Sequence, residues 1–245
     1  MTADFFKQKF GYEIDGVWFP RVTSITSPFQ KKWFGSFGAA AWGTSMHETI
    51  EALLKGERVL FDPKAATAIQ TFQEWQKVYP LRILDPQKDI ERRVVNLEQG
   101  YAGTIDMVAE VDGVFGIIDL KTSTSILREH AIQTAAYFHA YNATKGVQRA
   151  CETRWILRID QYQECRGCFA KSREKYGAAR ISGGKEVCNH QWAELKGEIE
   201  FKELPGADKD FEDFLSMKER WEWANKEWLD KIPNYEKNIR QYTLL

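Results

Sequence analysis

Two carboxylates and a lysine, Asp106, Asp119 and Lys121, have the types and spacing that a divalent-metal site requires. Hard cations such as Mg²⁺ take oxygen ligands at about 2.1 Å, so carboxylates on neighbouring strands can share one ion. Asp119 and Lys121 are two residues apart, and side chains alternate along a strand, so both point to one face. A lysine there sits beside the metal, placed to stabilise a hydroxide nucleophile or the charge developing on a phosphate. By itself the D-x-K pattern describes equally well a solvent-facing strand end with a surface ion pair. Its neighbours argue otherwise. Ile117, Ile118 and Leu120 make this a core strand, and Gly103-Thr104-Ile105 sets a small residue shortly before Asp106. Gln133 and Tyr137 are four apart, on one face of a helical segment. His47 lies just after Gly43-Thr44 on another helix. The segment HETIE lacks the second histidine of HExxH, which removes a zinc protease, and leaves Glu48 and Glu51 as solvated helix residues.

A second cluster, Cys165, Cys168, Cys188 and His190, reads C-x₂-C-x₁₉-C-x-H. A C-x₂-C pair followed by a distant ligand pair is the spacing of a structural zinc site. The surrounding polar, Gly-rich segment cannot build its own core, so a metal would order it. Cys151 lies in a strand-like run and reads as a buried thiol. A nucleobase deaminase would need H-x-E and P-C-x-x-C, and neither occurs. Six basic residues (Arg166, Lys171, Arg173, Lys175, Arg180, Lys185) stand against Glu164, Glu174 and Glu186 here, a balance of 6 − 3 = +3. Lys171, Arg173, Lys175, Arg180 and Lys185 are therefore candidate contacts to a nucleic-acid backbone, as against a solvated loop. Of the N-terminal aromatics Trp18, Phe19, Trp33 and Phe34, some would form a base-stacking platform, with Trp33 the preferred residue.

The elements that must position these groups follow from periodicity. Residues 12–22 read as a hairpin turning at Asp15-Gly16, and a short helix carrying Lys31, Lys32 and Trp33 follows Pro28. Helices are predicted over 39–54 and 64–78, a three-stranded meander over 90–120, and a helix over 126–144. The strand ETRWILRI comes next, then the Cys/His segment, the strand GEIEFKEL and a long helix over 209–229. The order reads as an α+β fold with a central mixed β-sheet flanked by helices and a small zinc-finger-like insertion. We divide the chain into a core (1–161), an inserted Cys/His finger (162–191) and a C-terminal strand and helix that complete the core (192–245).

The chain has 245 residues with 43% hydrophobic and 28% charged content, an ordinary globular composition. Its formal net charge of -1 excludes a protein that holds nucleic acid mainly by bulk positive charge. No apolar run suits a membrane span and no secretory leader is seen, so a reducing cytoplasm and free thiols are expected.

The ordered set His47, GTID ending at Asp106, IDLKTS with Asp119 and Lys121, and QTAAY from Gln133 to Tyr137 resembles the RecB-type branch of the PD-(D/E)xK nuclease superfamily. The nearest likeness is to phage-encoded and mitochondrial genome-maintenance exonucleases. VTSIT (22–26) and AAWGTSMHETIE (40–51) share the likeness, which covers roughly residues 12–160 and the closing helix around 211–223. It implies a restriction-endonuclease-like core and metal-dependent hydrolysis of DNA. It implies that His47, Asp106, Asp119 and the backbone carbonyl of Leu120 hold Mg²⁺ or Mn²⁺, that Lys121 is the catalytic lysine, and that Gln133 and Tyr137 orient DNA or the active-site network. An exonuclease in phage or bacterial DNA replication, recombination or repair is the favoured form. Any helicase, recombinase or single-strand-binding partner is left open. Two alternatives stand beside it: a catalytically inactive nucleic-acid-binding protein of the same fold, and, in place of zinc, an iron–sulfur cluster on four cysteines.

Overall fold

The computed structural model describes residues 2–27 and 37–237. The short helix expected after Pro28, with Lys31, Lys32, Trp33 and Phe34, lies outside the described residues.

An N-terminal helix α1 (Ala3–Phe10) opens on Thr2, whose Oγ1 accepts the Phe5 N–H at 3.2 Å. Eight residues are too few for a clear helical period. The hairpin follows as β1 (Gly11–Ile14) and β2 (Val17–Pro20). Asp15 and Gly16 both take positive φ (50° and 78°), as a two-residue type I′ turn requires. After the short α2 (Val22–Thr26) comes α3 (Phe37–Leu54), which buries Trp42, Met46 and Ile50 at four-residue intervals. Helix α4 (Ala66–Val78) buries Ala68, Ile69 and Phe72. A single turn, α5 (Pro86–Asp89), leads into the meander of β3 (Ile90–Asn96), β4 (Tyr101–Val111) and β5 (Val114–Lys121).

Helix α6 (Arg128–Ala143) then crosses over so that β6 (Thr153–Glu164) runs parallel to β5, a connection that antiparallel hairpins cannot make. A small hairpin, β7 (Lys171–Arg173) and β8 (Arg180–Ser182), is attached to the far end of β6. Strand β9 (Lys196–Glu203) pairs antiparallel along β6 and is followed by α7 (Ala207–Ala224) and α8 (Lys226–Leu229). The result is α+β, with a mixed central sheet of order β3-β4-β5-β6-β9 between helices. One face packs Phe6, Trp18, Val22 and Ile25 with Ile132 and Ala136 of α6 and Phe214 and Trp221 of α7. The other packs Trp42, Met46 and Ile50 of α3 and Ile69 and Phe72 of α4 on Ile118, Leu120 and Leu157.

Three expectations change. Strand β6 runs on to Glu164, because the polar residues Arg158, Asp160 and Gln161 that end its apolar pattern are buried and paired. The single helix over 209–229 is two, broken at Asn225, whose side chain donates to the Trp221 carbonyl at 2.7 Å. Trp18 and Phe19 are core residues rather than a stacking platform, and Trp18 spends its indole N–H on the Lys7 carbonyl. Among the described residues no helix is long and apolar enough to cross a membrane.

The two halves of the chain are tied by a buried ion pair. Arg154 on β6 is fully buried and donates to Asp210 on α7, to the carbonyls of Ala131 and Pro205, and to Thr134 Oγ1. Removing one partner strands the other charge in the interior, which costs far more than the pair contributes. We expect Asp210→Ala to lower unfolding free energy by about 3–5 kcal/mol in urea denaturation. A loss below about 1 kcal/mol, the scale of an exposed pair, would refute this role.

Candidate metal and active site

Strands β4 and β5 bring the two carboxylates together. Their ladder pairs Met107 with Ile118, which places Asp106 beside Asp119 near the carboxyl end of β5. The Asp106 carboxylate accepts the Leu120 N–H at 2.6 Å through Oδ2 and meets His47 Nδ1 at 3.4 Å through Oδ1. Helix α3 delivers that histidine from the opposite layer, because its Trp42–Met46–Ile50 stripe seats it on the sheet. Lys121 Nζ lies 2.6 Å from Asp119 Oδ2, as their two-residue spacing predicted. Gln133 joins the groups: its Nε2 donates to Asp119 Oδ1 at 3.3 Å and lies 3.0 Å from the Tyr137 hydroxyl, while its Oε1 lies 3.5 Å from Lys121 Nζ. Gly103 makes room for this arrangement. A Cβ there would lie 2.4 Å from the Tyr137 ring, so the glycine of GTID is a packing requirement.

The residue that spacing missed is Glu91. The ladder pairs Ile90 with Met107 and Arg92 with Ile105, which sets Glu91 opposite Asp106. Glu91 has φ of 52°, and the alternation of β4 slips at the same place: Ile105 and Val108 face one core, Met107 and Ala109 the other. This local irregularity turns both carboxylates toward His47. His47, Glu91 and Asp106 offer ligand atoms within 4.8 Å of one another, whereas Asp119 is engaged by Lys121 and Gln133. Glu91 opens a charged run, ERRVVN, and its partner is across a ladder, so linear spacing held no sign of it. His130 was missed too. It lines the cleft, and its Nδ1 accepts the Leu127 N–H at 3.2 Å.

Burial and charge compete at each group. Burial alone would neutralise Asp106, but His47 and Lys121 hold its carboxyl below the usual range. Burial pushes Asp119 upward despite Lys121, and the Asp106 charge adds to the shift. Burial opposes protonation of His47, yet Asp106 outweighs it and raises the imidazole. Glu91 is exposed at the cleft, yet the partial burial of its carboxyl, with the charges of Asp106 and Glu51, pushes it up to about 7. His130 is driven down to about 4 by burial and Lys121, so it is neutral and can accept. These groups line one cleft of about 1300 Å³, which Arg173, Lys175 and Arg180 also line.

The Cys/His segment gathers as expected. Cys165 Sγ and Cys188 Sγ are 3.8 Å apart, Cys168 Sγ is 3.4 Å from His190 Nδ1, and the four ligand atoms lie within 4.8 Å. Burial disfavours the Cys165 thiolate, but donors from Gly167 and His190 bring it down to about 6. Cys151 is elsewhere, in the core beside Tyr141 and Phe115, so the cluster has three sulfurs and one imidazole. Of the basic residues singled out in this segment, Arg173, Lys175 and Arg180 line the cleft. Lys171 instead lies over the Tyr162 ring at 4.0 Å, beside Glu198, and Lys185 is exposed and outside the cleft lining. No family model matches the chain, and no curated protein matches it significantly.

A carboxyl whose folded pKa is raised binds extra protons in the folded state, so its contribution to stability is lost as pH rises through the folded value. Without divalent ions, the melting temperature should therefore fall more steeply between pH 5 and 8 in the wild type than in Glu91→Gln. Adding Mn²⁺ should restore the wild type most at the upper end. Identical pH profiles for the two proteins would show that Glu91 does not carry this charge burden.

Proposed function

We propose that this protein is a metal-dependent deoxyribonuclease of the RecB-type PD-(D/E)xK kind, with a restriction-endonuclease-like core and most simply an exonuclease. The observation that carries this reading is one connected network: Asp119, Lys121, Gln133 and Tyr137 share hydrogen bonds and an ion pair, with His47 and Asp106 at its edge. Four sequence motifs far apart in the chain meet there, at the end of a core strand.

The donor set fits a hard divalent cation. It is oxygen-rich, half-buried and carries more negative charge than His47 and Lys121 offset, as Mg²⁺ or Mn²⁺ ligation favours. His47, Asp106 and Asp119 would hold the ion, the backbone carbonyl of Leu120 would join them, and Glu91 faces the same position. Such an ion would supply Lewis-acid stabilisation of a phosphate and a lowered pKa for water. Lys121 places its ammonium where charge develops on the phosphate. Gln133 fixes the Asp119 carboxylate and the Lys121 ammonium at once, and Tyr137 holds Gln133 from below. The Leu120 N–H orients the Asp106 carboxylate. DNA is the partner.

The Cys/His cluster fits zinc. Tetrahedral bonds of about 2.3 Å to sulfur require edges of roughly 3.8 Å, and somewhat shorter ones to nitrogen. Both separations match. Cys165, Cys168, Cys188 and His190 would close that site, and a four-cysteine iron–sulfur cluster would need Cys151, which is held in the core.

Cleavage of end-labelled linear DNA with Mg²⁺, Mn²⁺ or EDTA, beside a closed circle, tests the enzyme. We expect metal-dependent loss of linear DNA with the circle spared, and a fall on the order of 10³-fold in Asp119→Asn and Lys121→Ala with unchanged circular dichroism. DNA binding with no cleavage under any metal would instead favour the inactive binding protein. Elemental analysis should find one zinc per chain, lost in Cys188→Ser. A zinc-free protein with the same melting temperature would remove that site.

A further inference from the structure

The cleft carries charges of both signs. Glu91, Asp106 and Asp119 line it, and so do Arg173, Lys175 and Arg180. These cationic residues belong to the small β7–β8 arm, which contributes little core of its own; beyond its ladder with β6 and an ion pair of Glu174 with Lys64 at 2.7 Å, three further contacts fix it. The first is Asp160, a buried carboxylate on β6 that meets Arg173 Nε at 2.8 Å, Lys175 Nζ at 3.1 Å and Arg158 at 3.6 Å. Lys175 also donates to the carbonyl of Thr122, directly after Lys121. The second is Tyr176, whose ring packs edge-on against Trp42 at 5.2 Å and whose hydroxyl is 3.3 Å from Ser45 Oγ on the His47 helix. Backbone contact there is close: a Cβ on Gly38 would lie 1.9 Å from the Tyr176 carbonyl oxygen. The third is the Cys/His cluster, which pins both ends of the segment. Cys165 and Cys168 precede β7, and Cys188 and His190 follow β8.

These attachments do different things to the charges. Asp160 orients Arg173 and Lys175 and partly offsets them. Arg180 stands further out on β8, exposed at the rim of the cleft. A cation on the carboxylates would make them attractive to a phosphate, and the arm would take neighbouring phosphates of the same strand. We infer that the β7–β8 arm is the substrate grip of the cleft: Arg173, Lys175 and Arg180 hold the sugar–phosphate backbone of nucleic acid, with Asp160 and the Cys/His cluster as positioning groups. The inference rests on the nuclease reading for the identity of the ligand, but it concerns affinity rather than cleavage. It also separates two roles for metals: one ion for chemistry, and one that holds an arm.

The test is binding of 5′-fluorescein-labelled dT₂₀ and of a 20-base-pair duplex, by anisotropy across a salt series, with Ca²⁺ on the oxygen ligands. Neutralising one phosphate contact lowers the salt slope by about one unit. Arg180→Ala should weaken binding several-fold with that drop in slope, and Arg180→Glu by more than about tenfold. Cys188→Ser should weaken binding in the same direction although Arg180 is intact, because the arm loses one of the contacts that fix it. Arg180 is exposed, so its variants keep the fold even if Cys188→Ser does not, and melting curves check this. If the wild type cuts DNA while both Arg180 variants bind with wild-type affinity and slope, the grip is wrong and the nuclease reading stands. If the wild type binds without cutting and Arg180→Glu releases the DNA, the grip stands and the nuclease reading fails. No binding by the wild type overturns both.

Discussion

Carboxylates packed into the end of a β-sheet must be paired with positive charge, and the structure around the cleft is arranged by that requirement. Asp119 is 2% exposed and Asp106 beside it is only partly exposed, so water screens their charges weakly. An unpaired buried charge costs several kcal/mol, on the order of a domain's whole stability. Lys121 and the Leu120 N–H from β5, Gln133 from α6 and His47 from α3 each answer part of that cost. Displacing any of these elements would leave a charge unpaired. The position of the α6 crossover and of the α3 stripe is thereby coupled to the site.

The offset is incomplete, and this is chemically useful. Glu91 is pushed up to about 7, and burial raises Asp119 despite its lysine. Groups held away from their preferred ionisation bind a cation more eagerly than groups already satisfied, because the ion relieves repulsion as well as forming bonds. The irregular backbone at Glu91, with φ of 52°, belongs to the same economy of strain at a site. The same logic recurs at Asp160, where one buried carboxylate gathers Arg158, Arg173 and Lys175, and at Arg154, where one guanidinium gathers Asp210 and three other acceptors.

Much of this was legible in the chain. The hairpin turn at Asp15-Gly16 was visible because positive φ at both positions restricts residue choice. The meander was visible because Gly100 and Asp112-Gly113 punctuate apolar runs. Asp119 could be paired with Lys121, and Gln133 with Tyr137, because their spacings are those of one strand and one helix; that the two pairs meet was implied only by the family resemblance. The cysteines and His190 could be grouped for the same kind of local reason. Helix α1 was too short for its period to register, and the break at Asn225 depends on a side chain folding back on its own helix.

Sequence by itself determined the local faces: which residues share a side of a strand or helix, where turns must fall, and which types could ligate a metal. Tertiary structure alone decided which faces meet. Glu91 joins His47 and Asp106 only through the β3–β4 register, and that register is a property of two strands rather than of one. Arg173, Lys175 and Arg180 were separated from Lys171 and Lys185 only by the direction in which the arm docks. Trp18 looked like an exposed aromatic of a hairpin, yet it is sealed in the core against Phe6 of α1 and Tyr235. Periodicity describes an element about its own axis, whereas these outcomes depend on distances between elements, which are set by packing and by pairing of buried charge.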